Sequence, residues 1–126
     1  MEDLTVEKII EMHDILIDGF GGTPGILNRG TLEYLVFRVN KEKDPIRKAT
    51  LVLFYIASEH PFIDGNKRTA FVAAENVLGI LGQLGMYVDD DENGVVGFML
   101  RVASYQANEH DIEKWIRERM KKSELA

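Results

Sequence analysis

Cysteine is absent from this 126-residue chain, which excludes disulfides, thiol catalysis and thiolate metal sites. No apolar run approaches the roughly 18 residues that span a bilayer. The acidic start, Met1-Glu2-Asp3, is no signal peptide, so a cytoplasmic protein is expected. Positive charge is also scarce. Fifteen Lys and Arg stand against 21 Asp and Glu, and the net charge of −6 argues against general nucleic-acid binding. Proline occurs only at Pro24, Pro45 and Pro61, and each reads as a break or a helix start. There are no repeats, linkers or low-complexity segments. Ordinary hydrophobic (45%) and charged (29%) fractions at this length predict one soluble domain, residues 1–126, around a single core.

Against that background one stretch is dense in chemistry: His60-Pro61-Phe62-Ile63-Asp64-Gly65-Asn66-Lys67-Arg68-Thr69-Ala70. Pro61 and Gly65 interrupt regular structure, and no proline or glycine follows Asn66 until Gly79, so the spacing predicts a short loop feeding a helix near Asn66. The free N–H groups of a helix start carry roughly half a positive charge. An anion on that axis would meet the Gly65 and Asn66 amides, the Asn66 side chain, and the cations of Lys67 and Arg68. Asp64 beside such an anion needs a hard cation such as Mg²⁺ to bridge it to phosphate oxygens. His60 is able to take a proton from an attacking hydroxyl, and Phe62 reads as an anchor into the core. Singly these are ordinary residues: a cap, a solvated helix start, a loop histidine. Together they exceed what a cap requires.

Elsewhere the pattern is helical. Residues 5–18 form the first predicted helix, capped by Thr5, with Ile9, Ile10, Met12, His13, Leu16 and Ile17 near a 3.6 period. His13-Asp14 occurs as a pair in metal-dependent phosphohydrolases, but only His60 and His110 remain as further histidines, so a packed or surface histidine is the reading adopted. Gly19-Phe20-Gly21-Gly22-Thr23-Pro24-Gly25 is predicted to be loop throughout, followed by a short extended piece at Ile26-Leu27 and a helix over 29–39 capped by Asn28. Asp44-Pro45 starts the most apolar helix, which delivers the chain to His60. Ala70, Ala73 and Ala74 let the next helix approach it closely. That helix ends near Gly79 or Gly82–Gly85. Tyr87-Val88 then leads into Asp89-Asp90-Asp91-Glu92, which lacks the spacing of a calcium loop and reads as an exposed turn. Helices over 94–106 and 110–121 follow, the second bringing Trp115 and Ile116 inward, and 123–126 should fray.

His60-Pro61-Phe62-Ile63-Asp64-Gly65-Asn66-Lys67-Arg68 closely resembles the Fic/Doc family signature, His-x-Phe-x-(Asp/Glu)-(Ala/Gly)-Asn-(Gly/Lys)-Arg. Lys67, where the adenylylating Fic branch usually has glycine, resembles the Doc (death-on-curing) toxin branch. So does the run from Met12-His13-Asp14 through Gly21-Gly22 and Gly25-Ile26 to Thr31-Leu32-Glu33, although Leu27-Asn28 replaces the usual Arg-Asp. The resemblance implies a compact all-α bundle with a short flap near the active site, in which Gly25, Ile26 and Leu27 would align a target peptide by strand addition. It implies Mg²⁺-dependent transfer of the γ-phosphate of ATP to a Ser or Thr hydroxyl of a translation factor of the elongation factor Tu kind. His60 would be the base, Asp64 the metal ligand, Gly65 and Asn66 the phosphate cradle, and Lys67 and Arg68 the charge-neutralising cations. A lysine at position 67 fills the space a diphosphate leaving group would use, which favours γ-transfer. The alternatives are adenylylation by the same site and a non-catalytic regulatory member. The family's self-inhibiting motif, Ser/Thr-x-x-x-Glu-(Gly/Asn), has no match: Phe71 precedes Glu75-Asn76 and Val88 precedes Glu92-Asn93. Restraint is therefore expected from a separate antitoxin chain, docking a helix in an apolar groove.

Overall fold

The computed structural model describes residues 3–79 and 94–125, with side chains through residue 120. Six helices follow in order among these described residues: α1 Val6–Phe20, α2 Arg29–Lys41, α3 Pro45–Glu59, α4 Asn66–Leu78, α5 Val95–Ala103 and α6 Glu109–Leu125. Among the described residues there is no strand, and one isolated antiparallel bridge joins Ile26 to Phe62. The fold is all-α, as the sequence implied. No described helix is long and apolar enough to cross a membrane.

Capping residues start the helices where the sequence places them. Thr5 accepts a hydrogen bond from the Lys8 N–H and Asn28 from the Thr31 N–H. Asp44 accepts from the Ile46 N–H at 2.9 Å, with Pro45 occupying the first turn, where a missing N–H does no harm. The nearly all-round apolar surface of α3 finds cover on α2, α4, α5 and α6. Its most extensive partner is α4, because Ala70, Ala73 and Ala74 are wholly buried and stop at the β-carbon. The far side of the core is closed by Trp115 of α6, stacked on Phe98 of α5 with ring centroids 4.3 Å apart.

Three boundaries differ from expectation. α1 continues through Gly19 and Phe20, so the loop begins only at Gly21, whose φ of 87° ends the helix while its N–H bonds the Ile17 carbonyl. The Phe20 ring is held under the Arg68 guanidinium, a distant contact that outweighs the modest helix penalty of one glycine. α5 stops at Ala103, closed by Tyr105 at φ 61° and a bond from the Gln106 N–H to the Arg101 carbonyl. α6 runs to Leu125, past the anticipated end. The expectations for Gly82–Gly85, Tyr87-Val88 and Asp89–Glu92 lie outside the described residues.

Candidate functional site

The site is built from the turn at the end of α3. His60 closes that helix in the left-handed region, φ 50° and ψ 61°, with its side chain exposed. Such a conformation costs an L-residue about 1 to 2 kcal/mol. Pro61 and Phe62 then enter the core, and Phe62 is completely buried. Full burial of a phenylalanine stabilises by roughly 1.5 to 3 kcal/mol, enough to offset the strained turn. Phe62 is thus the anchor that the sequence suggested, and its burial leaves the imidazole of His60 outside.

Carrying Phe62 inward carries its backbone too, and both polar groups need partners. Asn66 supplies them. Its Oδ1 accepts from the Phe62 N–H at 3.0 Å and its Nδ2 donates to the Phe62 carbonyl at 2.9 Å. The Asn66 side chain, expected to meet an anion, thus gives its oxygen and one amide hydrogen to the loop. A primary amide offers donor and acceptor together, and here both serve the loop. Gly65 is the N-cap of α4 at φ 75°, without a side-chain cap. Its lack of a β-carbon serves the approach to α1, since a β-carbon would lie 3.2 Å from Ile17 Cδ1 and 3.6 Å from His13 Nε2. The Gly65 N–H, expected to face an anion, donates instead to Asp64 Oδ1 at 2.8 Å.

His13 is packed, one of the two places the sequence allowed it, but its contacts with the motif loop were not foreseen. It is buried on α1, with its ring flat against Phe62 at 3.8 Å between centroids and 5° between planes. Nε2 lies 2.7 Å from the Asp64 carbonyl oxygen, and because a carbonyl only accepts, Nε2 carries the hydrogen. A signal was available: Ile9, His13 and Ile17 are spaced by four and all buried, so His13 belongs to the inward stripe of α1. This packing also disposes of the metal reading for His13-Asp14.

The flap pairs with the motif loop. Ile63 donates its N–H to the Gly25 carbonyl at 3.0 Å, and the Leu27 and Asn28 N–H groups both reach the Pro61 carbonyl, at 2.7 and 3.0 Å. By strand alternation the N–H and C=O of Ile26 point away from that loop. Gly25, at φ 126°, admits Ile63, whose Cδ1 would lie 2.7 Å from a β-carbon there. Thr23 adds a link, donating its N–H to Asp64 Oδ2 at 3.1 Å. The Thr23 and Gly65 amides, with a smaller pull from His13 and Lys67, hold the Asp64 carboxyl below the usual carboxylate range. The carboxylate is exposed and ionised at neutral pH, and each oxygen keeps a lone pair beyond its amide bond. That donor suits a hard divalent cation which also takes phosphate oxygens and water. Among the described residues no group of three or more His, Cys, Asp or Glu side chains is placed to hold a metal.

Lys67 and Arg68 are exposed on the first turn of α4. Arg68 stacks over Phe20 at 4.4 Å, which fixes its direction without neutralising it. Both cations rim a groove of about 270 Å³ between α4 and α5, floored by Phe71, Val72, Val96, Met99 and Leu100. A larger cavity, about 560 Å³, is lined by Ile46, His110, Glu113 and Arg117. It lies at the other end of α3, and at 1.5 Å per residue Ile46 is about 21 Å along the helix from His60. The exposed imidazole, carboxylate and cations of residues 60–68 lie at the motif end of α3, away from this larger cavity.

Comparison with known proteins adds two findings. Residues 29–78 match the model of the Fic/DOC family. Over 80 residues, 59% of the chain, the sequence is 32% identical to a protein named Protein kinase doc from Escherichia phage P1. The matched region spans 64% of that relative's length. The family match contains the motif loop, α2, α3 and α4, whereas His13 and the flap precede it.

Proposed function

We propose that this chain is a Doc-like protein phosphotransferase of the Fic/DOC family, which moves the γ-phosphate of ATP to a Ser or Thr hydroxyl of another protein. The observation carrying this reading is the exposed His60 imidazole, one short loop before an uncapped helix start bearing Lys67 and Arg68. His60 accepts the hydroxyl proton as the oxygen bonds to the γ-phosphorus and the bond from that phosphorus to ADP breaks. General-base help of this kind contributes roughly 10² to 10⁴ in rate. The α4 N-terminus, Lys67 and Arg68 stabilise the charge on the transferred group. Asp64 would hold Mg²⁺, which when bound neutralises phosphate charge and orients the nucleotide. The outward N–H and C=O of Ile26 offer an edge on which an extended target segment adds as a strand, the role assigned to Gly25, Ile26 and Leu27. A translation factor of the elongation factor Tu kind is the target the Doc likeness suggests.

Restraint by a separate antitoxin is supported by the α4–α5 groove. Its apolar floor and rim of two cations suit an amphipathic helix with acidic residues at one end. Two measurements test the enzyme reading. Incubation of a candidate target with ATP labelled at the α or γ position should place label on the target only from γ-labelled ATP, and intact mass should rise by a phosphate. Label from α-labelled ATP, with the mass of an adenylate, would make the chain an adenylyltransferase. No modification by the wild type, or full modification by His60→Ala, would remove the catalytic role given to this site.

A further inference from the structure

His13 is more deeply engaged with the motif loop than a packing residue needs to be. Its ring is 1% exposed and touches the loop on three sides. One face lies on Phe62, its Nε2–H is given to the Asp64 carbonyl, and its edge lies beside Gly65, where an added β-carbon would stand 3.6 Å from Nε2. A core position with no polar task is served better by Phe or Leu, since burying an imidazole N–H is favourable only when it is paired. Here the Nε2–H is directed at the residue that carries the carboxylate of the site, while Nδ1 lies 3.6 Å from Asp14 Oδ1. We infer that His13 is a positioning residue: it holds the Asp64 backbone, and through it the carboxylate and the first turn of α4, in the geometry the site uses. The inference rests on the proposed transfer reading only for its catalytic consequence.

The mechanics follow from what else restrains the loop. Asn66 ties down Phe62 at one end, and α4 begins at the other, but Ile63, Asp64 and Gly65 lie between with two soft dihedrals each. Ile63 and the Asp64 carboxylate bond only to the glycine-rich flap and to Gly65. His13 alone in this set sits on a rigid element, since α1 is seated in the core through Ile9 and Ile17. Through Thr23, which donates to Asp64, the same restraint extends to the flap.

The test separates ring from donor. His13→Phe keeps a flat ring against Phe62 and removes the N–H. His13→Gln keeps an N–H at similar reach and removes the ring. Amide exchange at Thr23 and Gly65 is measured on the protein alone, and affinity for Mg²⁺ with a non-hydrolysable ATP analogue is measured by calorimetry. In His13→Phe, exchange at both amides should rise and nucleotide affinity should fall, each about 10-fold as for loss of one buried hydrogen bond, with helix content retained. His13→Gln should return both to within about 3-fold of wild type. Exchange and affinity unchanged in His13→Phe would overturn the inference, leaving His13 as packing. If His13→Phe does not fold, His13→Gln decides: native-like exchange upholds the positioning role and raised exchange overturns it. Should the wild type transfer nothing, the kinase reading fails while the exchange arms still decide the role of His13.

Discussion

Replacing Asn66 is the sharpest probe of how this site is assembled. Asn66→Ala leaves the Phe62 N–H and C=O without the partners now at 3.0 and 2.9 Å, while the Phe62 ring stays committed to the core. An unpaired buried polar group costs about 1 to 3 kcal/mol, and two of them would reach about 2 to 6. Asn66 lies at the lip of the core at 9% exposure, so entering water relieves part of this and about 2 to 3 kcal/mol remains. For a domain of this size each kcal/mol moves Tm by about 4 °C, giving a fall of about 8 to 12 °C. Asn66→Asp has nearly the same shape but sets a carboxylate oxygen against the Phe62 carbonyl, so at neutral pH it should be at least as destabilising. Protonation restores an O–H donor. The folded state therefore favours the protonated form, the pKa of the introduced carboxyl is raised above its unfolded value of about 3.9, and the deficit relative to wild type should shrink as pH falls. Calorimetric melts of wild type and both variants, at neutral pH and at about pH 5, read this directly. An Asn66→Asp variant melting within about 2 °C of wild type at neutral pH would refute the bracket, and with it the account of why the motif loop holds its shape.

Gly22→Ala would place a β-carbon 2.8 Å from Asp64 Oδ2 at φ 121°, so the Thr23–Asp64 contact should break. Faster amide exchange at Thr23 and Leu27, and a larger loss in target modification than in ATP affinity, are expected; unchanged exchange would disprove the link. The Asp64 carboxyl is held below its ordinary value of 3.8, chiefly by the Thr23 and Gly65 amides. Its contribution to loop stability is thus fully present above 3.8 and lost as pH falls through the lower folded value. The Thr23 and Gly65 amide resonances should stay flat down to about pH 4 and titrate only below it; a midpoint at higher pH would contradict the bonding described. His60→Gly should lose about 10² to 10⁴ in transfer rate while Tm holds or rises, because glycine relieves the left-handed turn. A clear fall in Tm would mean that the imidazole supports the fold.

The sequence was most legible where causes are short-range. Thr5, Asn28 and Asp44-Pro45 cap helices through bonds reaching only two or three residues, and Gly79 ends α4 by a local left-handed turn, so local chemistry decides them. The small stripe Ala70, Ala73 and Ala74 and the apolar run of α3 likewise announced the central helix pair. Where a distant partner intervenes, local reading failed. Gly19 and Phe20 are helical because Phe20 packs against Arg68, and Tyr105 takes a positive φ that residue preferences disfavour.

The same division runs through the site. Which groups are present, an imidazole, a carboxylate, an amide and two cations around a glycine, was settled by the order of residues 60–68 alone, since their spacing keeps them within one turn of chain. Which way each points was decided only by the tertiary structure. Once Phe62 is buried, its backbone claims Asn66, its ring stacks on His13, which donates to the Asp64 carbonyl from 51 residues away, and Asp64 claims Gly65 and Thr23. Burial turns backbone polar groups into demands that some side chain must meet, and no local pattern says which side chain will be near enough to meet them.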